Sequence, residues 1–154
     1  MLPVNADIRV LGYLGRALSL ELSAVQLYST QARLVEVWGL SEVAKKFSNE
    51  ANEEMEHANR IISRMLALGA APNASHLRPV QLGNNLYELL KHDYEFENEL
   101  ISLYKDATQH CASVGDHDNR LLFETLLNEE KTHANELTIW IRELQQTDSI
   151  NSNT

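Results

Sequence analysis

Apolar side chains recur at alternating spacings of three and four residues along four long stretches of the chain. This period is typical of helices that bury one face. The first stretch begins at Asp7, a residue type that caps helices, and ends at Trp38 before Gly39. The second follows the candidate cap Ser41 and ends at Gly69. Two long helices are therefore predicted in the first half.

The second half repeats this arrangement. A third helix is predicted to begin near Asn84 or Asn85 and to end at Gly115. Asp116 is the expected cap of a fourth helix, whose apolar positions continue to Leu144. The chain is predicted to be all-α, with residues 1–146 forming the bundle and residues 147–154 a polar, frayed tail.

The connections predict the topology. Each half joins its two helices by a few residues, so each pair forms an antiparallel hairpin. Between the hairpins, residues 70–83 contain Pro72 and Pro79 and show no helical period. Fully extended, this segment spans roughly 46 Å, about the length of a 30-residue helix. We therefore expect a four-helix bundle of two antiparallel hairpins with one long crossover.

Ionisable residues interrupt the apolar faces near the middle of each helix. Adding 76 to the numbers of three of them gives the other three, and Tyr28 and Tyr104 are related by the same offset. The six residues are Glu21, Glu54, His57, Glu97, Glu130 and His133. The chain thus carries one Glu and one Glu-x-x-His pair twice.

These six residues suggest a dinuclear metal site. The Glu and His of a Glu-x-x-His pair share one helix face. Burying an ionised carboxylate costs several kcal/mol unless a partner compensates, and none of the 13 Lys and Arg residues lies in the middle of these faces. Two divalent ions balance four carboxylates, and mixed carboxylate and imidazole ligands suit iron or manganese. A metal-free polar core is the alternative.

The motifs resemble those of bacterioferritin, a branch of the ferritin-like superfamily. The resemblance covers about residues 5–145. It lies in the segments LELSAVQLY around Glu21, VEVWGL, EANEEMEHANR around Glu54 and His57, and EEKTH around Glu130 and His133, together with Glu97. It implies the ferritin-like arrangement of the four helices.

The resemblance also implies a ligand set and a reaction. Glu54 and Glu130 would bridge two irons. The other ligands would be Glu21 and His57 for one iron and Glu97 and His133 for the other. Tyr28 matches a tyrosine beside the site, and Asp93 is a candidate for orienting a histidine, with a solvent-facing or capping role as the alternative. The implied activity is ferroxidase, the oxidation of Fe²⁺ to Fe³⁺ by dioxygen or peroxide.

Met55 is the candidate haem ligand. It lies 100° around the helix from Glu54, so its side chain is predicted to point out of the bundle. In bacterioferritins the methionine at this position and its two-fold mate bind one haem iron, which implies haem b at a dimer interface. Arg60 is the cation nearest to this position that can face haem propionates. An ordinary exposed methionine is the alternative.

The sequence departs from the family pattern at its end and at Asn49. Bacterioferritin subunits continue into a fifth helix that lines contacts of the closed shell, whereas this chain ends in TDSINSNT, with no clear fifth helix. Asn49 stands where some relatives have a histidine that binds iron at the inner surface. We expect a homodimer, with a larger shell or a mixed shell containing a full-length paralogue as alternatives.

Composition narrows the partners. A net charge of −9 argues against nucleic acid, and no apolar run approaches the roughly 18 residues that span a membrane. Cys111 is the sole cysteine, which excludes an internal disulfide and favours a reducing compartment. No export signal is recognised, so a cytoplasmic location is expected.

Three functions fit these observations. The first is iron oxidation for storage or detoxification. The second is a di-iron or di-manganese peroxidase or catalase working as a dimer; a single cysteine cannot build the Cys₄ centre of rubrerythrin-type peroxidases. The third is a structural subunit whose site stabilises an assembly.

Overall fold

The computed structural model describes residues 6–73 and 76–152. Within these ranges the chain forms four helices, which confirms the all-α prediction. They are α1 (Ile8–Val37), α2 (Ser41–Ala67), α3 (Leu86–Val114) and α4 (His117–Ser152). None of the helices in the described part is both long and apolar enough to cross a membrane.

Contacts between the hairpins fix the bundle's directions. Tyr28, late in α1, bonds to Glu97 in α3, whereas the earlier α1 residue Glu21 bonds to a later α3 residue, Tyr104. Helices α1 and α3 are therefore antiparallel. Helix α3 must then run parallel to α2, which is antiparallel to α1. This direction requires a connection along the length of the bundle, as predicted.

The crossover is held against α1 and α3. The backbone N–H of Arg78 donates to the Ser23 hydroxyl at 3.0 Å. The Arg78 guanidinium forms a 2.5 Å ion pair with Glu99 and lies 5.5 Å from the centre of the Phe96 ring. These contacts hold one point of an otherwise non-helical segment.

Helix starts agree with the sequence, with one exception. Helix α2 is capped by Leu40 and not by Ser41, which is its first helical residue. The Gly39 turn, with φ of 82°, brings Leu40 into position. Its carbonyl already accepts from Ala44 N–H at 3.0 Å, so the first helical hydrogen bond begins one residue earlier than predicted.

The other caps follow the prediction in position. Asn85 accepts from the Glu88 N–H at 2.9 Å, and Asp116 from the Asn119 N–H at 3.2 Å. Asp7 occupies the cap position of α1, but among the described residues its side chain makes no capping hydrogen bond. It bonds to His110 instead.

The fourth helix is longer than predicted. It continues past Leu144 through Ser152, so residues 147–152 of the predicted frayed tail extend α4. Residues 145–149 are exposed, and the Thr147 hydroxyl donates to the Glu143 carbonyl four residues earlier. Residues 1–5 and 153–154 lie outside the described residues, and a boundary at residue 146 stays a prediction.

The core consists of two apolar clusters separated along the bundle. One packs around Leu14, Leu18, Ile61, Phe123 and Leu126. The other packs around Val35, Phe47, Leu89, Leu90 and Leu137. A layer of buried polar residues crosses the bundle between these clusters, and the candidate site lies in that layer.

Candidate metal centre

The structure brings all six predicted residues together in the bundle interior. The four glutamates are 0% exposed, His57 is 2% exposed and His133 is 7% exposed. They form two overlapping groups, and in each group one donor atom per residue lies within 4.8 Å of the others. The groups are Glu21, Glu54, His57 and Glu130, and Glu54, Glu97, Glu130 and His133. Glu54 and Glu130 belong to both.

The two imidazoles point their Nδ1 atoms at the shared carboxylates. His57 Nδ1 lies 2.7 Å from Glu130 Oε1 and 3.5 Å from Glu54 Oε1. His133 Nδ1 lies 3.4 Å from Glu130 Oε2 and 3.3 Å from Glu54 Oε1. The rings are nearly parallel, at 14°, with centroids 5.9 Å apart. One imidazole therefore faces the shared pair from each side.

A second acidic residue lies at the outer nitrogen of each ring. Glu129 Oε2 lies 3.4 Å from His57 Nε2, and Glu53 Oε2 lies 2.5 Å from His133 Nε2. A carboxylate in this position orients a metal-binding histidine and makes it more basic. The sequence analysis assigned neither glutamate this contact, although Glu53 and Glu129 differ by the same 76 residues.

Each carboxylate found in one group alone is held by a tyrosine from the other hairpin. The Tyr28 hydroxyl donates to Glu97 Oε1 at 2.7 Å, which places Tyr28 beside the cluster as predicted. The Tyr104 hydroxyl donates to Glu21 Oε1 at 2.6 Å. Both tyrosines are fully buried.

Asp93 does not orient a histidine. It is buried, one turn before Glu97, and accepts a 2.6 Å hydrogen bond from the Gln31 side chain of α1. The prediction was wrong because the outer nitrogens of both rings face away from Asp93, toward acids on α2 and α4. Burial raises the pKa of Asp93 well above its usual value, although the Gln31 hydrogen bond acts against this.

Burial also separates the glutamates by protonation. It raises the pKa of Glu54 and Glu97 well above the usual value and that of Glu21 to about 7. Burial acts on Glu130 in the same sense. Hydrogen bonds from Glu97 and from both imidazoles outweigh it, so the pKa of Glu130 lies well below its usual value.

The imidazoles are held in the protonated form. Burial lowers their pKa values, but hydrogen bonds to Glu130 and the neighbouring carboxylates outweigh it. The pKa of His57 is raised to about 10 and that of His133 to about 9. In the metal-free protein, protons thus supply the positive charge between the carboxylates.

The donor set fits two divalent cations. Several buried oxygens of the cluster have no hydrogen-bond partner among the described residues, and buried polar atoms are rarely left so. They are Oε2 of Glu21, Glu97 and Glu130 and both carboxylate oxygens of Glu54. Carboxylate and imidazole ligands of this kind suit iron or manganese.

An acidic cavity opens beside the His133 end of the cluster. It has a volume of about 430 Å³, and its lining includes Tyr28, Glu50, Glu53, His133 and Glu136. Glu50 and Glu53 also group with His133 closely enough to share a cation. Sequence reasoning gave Glu50 no role in the site, although it occupies a core position of α2.

Met55 lies outside the cluster. Its side chain is 38% exposed on α2, next in sequence to the buried Glu54. The predicted outward direction is thus confirmed, while a haem contact stays a prediction.

Comparisons with known proteins agree with this geometry. Residues 11–147 match the sequence profile of the ferritin-like domain. The chain is 39% identical to a bacterioferritin of Rhodobacter capsulatus over 85% of this chain and 81% of that protein. It is 36% identical to a bacterioferritin of Brucella melitensis over 84% and 81% of the two chains.

A solved structure shows the same fold. The Rhodobacter capsulatus bacterioferritin, with a metal-free dinuclear site and a haem iron, superposes with a TM-score of 0.89 and 37% identity. The match covers 92% of this chain and 89% of that one. The chain therefore belongs to the ferritin-like family, in its bacterioferritin branch.

Proposed function

We propose that this protein is a ferroxidase that takes up ferrous ions in pairs and oxidises them for iron storage or detoxification. The observation that carries this proposal is the pair of buried ligand groups that share Glu54 and Glu130. Only a shared pair lets two cations lie side by side, and two Fe²⁺ supply the two electrons that reduce dioxygen to peroxide. Its bacterioferritin relatives support the assignment.

The ligand roles follow from the two groups. We assign Glu54 and Glu130 as bridging ligands because they belong to both. The terminal ligands are Glu21 and His57 for one ion and Glu97 and His133 for the other. Bound ferrous ions replace the protons on the imidazoles and on Glu54 and Glu97.

The reaction balances in electrons and charge. Two Fe²⁺ with dioxygen and two protons give two Fe³⁺ and hydrogen peroxide; two Fe²⁺ with hydrogen peroxide and two protons give two Fe³⁺ and two waters. The flanking apolar clusters exclude bulk water, while the acidic cavity at His133 attracts cations. Glu53 and Glu129 keep the rings aimed at the shared carboxylates.

Aerobic oxidation of Fe²⁺ by Glu54→Ala tests this function. The wild type is expected to form Fe³⁺ rapidly, with about two ions per chain in the first phase. Glu54→Ala removes a shared ligand and should abolish that phase. The matched control Glu42→Ala changes an exposed glutamate of the same helix and should oxidise iron like the wild type. Equal rates in wild type and Glu54→Ala would refute the proposal.

Storage requires an assembly, which native mass and iron content test together. We propose a homodimer as the basic unit, with a larger or mixed shell as the storage form, working in the cytoplasm. Hundreds of ions per particle would support storage. A limit near two per chain would instead favour the alternative, a peroxide-reducing di-iron or di-manganese enzyme working as a dimer.

We also propose that Met55 binds haem b at a two-fold interface. The support is its exposed side chain on the outer face of α2 and the haem iron in the Rhodobacter capsulatus relative. Protein expressed with ample haem should show a Soret band, and Met55→Ala should remove it. A haem-free wild type would refute this assignment.

A further inference from the structure

Tyr104 is the counterpart of Tyr28 in the other half of the site. It lies on α3, is 0% exposed, and donates its hydroxyl hydrogen to Glu21 Oε1 on α1 at 2.6 Å. The second oxygen, Glu21 Oε2, is buried and has no partner among the described residues. Glu97 shows the same division, with Oε1 bonded to Tyr28 and Oε2 unpartnered.

We propose that Tyr104 is a positioning residue that reserves one oxygen of Glu21 for itself and leaves Oε2 as the metal-binding atom. This inference rests on the proposed two-metal site. A glutamate with two free oxygens can bind a cation through both. With Oε1 engaged by the phenol, Glu21 binds through one oxygen, and a coordination position on the ion of the His57 half stays open for the oxidant.

The surroundings of Tyr104 separate its hydroxyl from its ring. The ring packs against Phe123, with centroids 6.2 Å apart, and Phe123 in turn lies edge-on to Tyr13. These residues belong to one apolar cluster. Phenylalanine at position 104 therefore keeps the packing and removes only the hydrogen bond to Glu21.

The hydrogen bond also connects the two hairpins at the site. Glu21 belongs to the first hairpin and Tyr104 to the second, so the phenol sets the carboxylate relative to the partner helices that supply Glu130. Residues that orient ligands in this way typically change metal affinity by 10–100-fold when they are mutated. The effect should be confined to one ion, because Tyr104 bonds to Glu21 and Tyr28 to Glu97.

The test is anaerobic titration of metal-free protein with Co²⁺, followed by its visible d–d absorption. Wild type should bind two ions per chain. Tyr104→Phe should bind one of them about 10-fold more weakly, with a changed d–d spectrum as Glu21 binds through both oxygens. Tyr28→Phe should affect the other ion, and the exposed control Tyr94→Phe neither. A crystal of Tyr104→Phe with limiting Co²⁺ should lose anomalous signal at the Glu21 side.

Two outcomes overturn the inference. Both affinities and the spectrum of Tyr104→Phe could match wild type, or the crystal could show equal loss at both positions, so that the hydroxyl does not act through Glu21. A wild type that binds no Co²⁺ at the cluster would refute the two-metal site itself. A wild type that binds two Co²⁺ but does not oxidise Fe²⁺ would refute the ferroxidase proposal and leave the role of Tyr104 intact.

Discussion

The two halves of the site are alike where they face the metal positions and different where they face the outside. Inside, each half has a tyrosine bonded to a terminal glutamate and an acid on the outer histidine nitrogen. The matching contacts are Tyr28–Glu97 with Tyr104–Glu21, and Glu53–His133 with Glu129–His57. Adding 76 to a residue number converts one half into the other.

Outside, the equivalent positions differ in charge. Arg60 lies 2.8 Å from Glu129 at the His57 half, and position 136, which is 76 residues later, is a glutamate. Glu50 lies beside His133, and its equivalent is the buried Leu126. An ion pair thus flanks one half, while an acidic cavity reaches the other. The repeat is kept where coordination geometry requires it and lost where access is controlled.

The largest expected effect comes from breaking a residue that both halves share. Glu130→Ala should weaken the binding of both cations by at least about 100-fold, because Glu130 belongs to both ligand groups. Glu21→Ala should weaken only one. Calorimetric titration with Zn²⁺ measures both affinities. Unchanged binding of one cation in Glu130→Ala would show that this carboxylate serves a single half.

The stability of metal-free protein should fall as pH rises. Both histidines have folded pKa values above the ordinary 6.5, so their stabilisation is complete below pH 6.5 and is lost through about pH 9 for His133 and about pH 10 for His57. The melting temperature should drop by more than about 5 °C between pH 6.5 and 9.5.

Calorimetric melting at several pH values measures this change, with Zn²⁺-loaded protein as the control, since bound cations replace the protons. Histidine NMR resonances add the comparison between halves, because His133 should lose its proton before His57. Metal-free protein that grows more stable over this pH range would contradict the assignment.

A smaller effect is expected from the ion pair at the His57 half. Arg60→Gln removes the guanidinium bonded to Glu129 and should loosen the carboxylate that orients His57. One of the two Zn²⁺ affinities should fall about 10-fold. The variant Glu136→Gln, at the equivalent position, is the control and should leave both affinities within about two-fold. Equal losses in the two variants would remove the distinction between the halves.

The smallest effect concerns access. Glu50→Leu gives the His133 half the residue found at the equivalent position 126. Stopped-flow uptake of Co²⁺ should slow by about two- to five-fold at low salt and approach wild type at high salt, because the lost charge acts on the approaching cation. The final stoichiometry should stay at two. Uptake at the wild-type rate at low salt would show that ions use another route.

Much of this molecule follows from sequence pattern alone. Apolar period and glycine positions predict the four helices, and the repeated Glu-x-x-His motif predicts the six clustered residues. Pattern did not resolve contacts that depend on side-chain reach between helices, such as Gln31 with Asp93 or Glu53 with His133. The extension of α4 beyond Leu144 was missed because exposed polar residues also form helix when they continue one.

The polar layer between the two apolar clusters has a consequence for the lifetime of the protein. Four carboxylates in a dry waist repel one another, and the bundle is weakest where its chemistry is done. A ligand that binds only the folded state adds stability in proportion to the logarithm of its concentration. Scarce iron should therefore leave the chain easier to open and degrade, so that its abundance follows the supply of its own substrate.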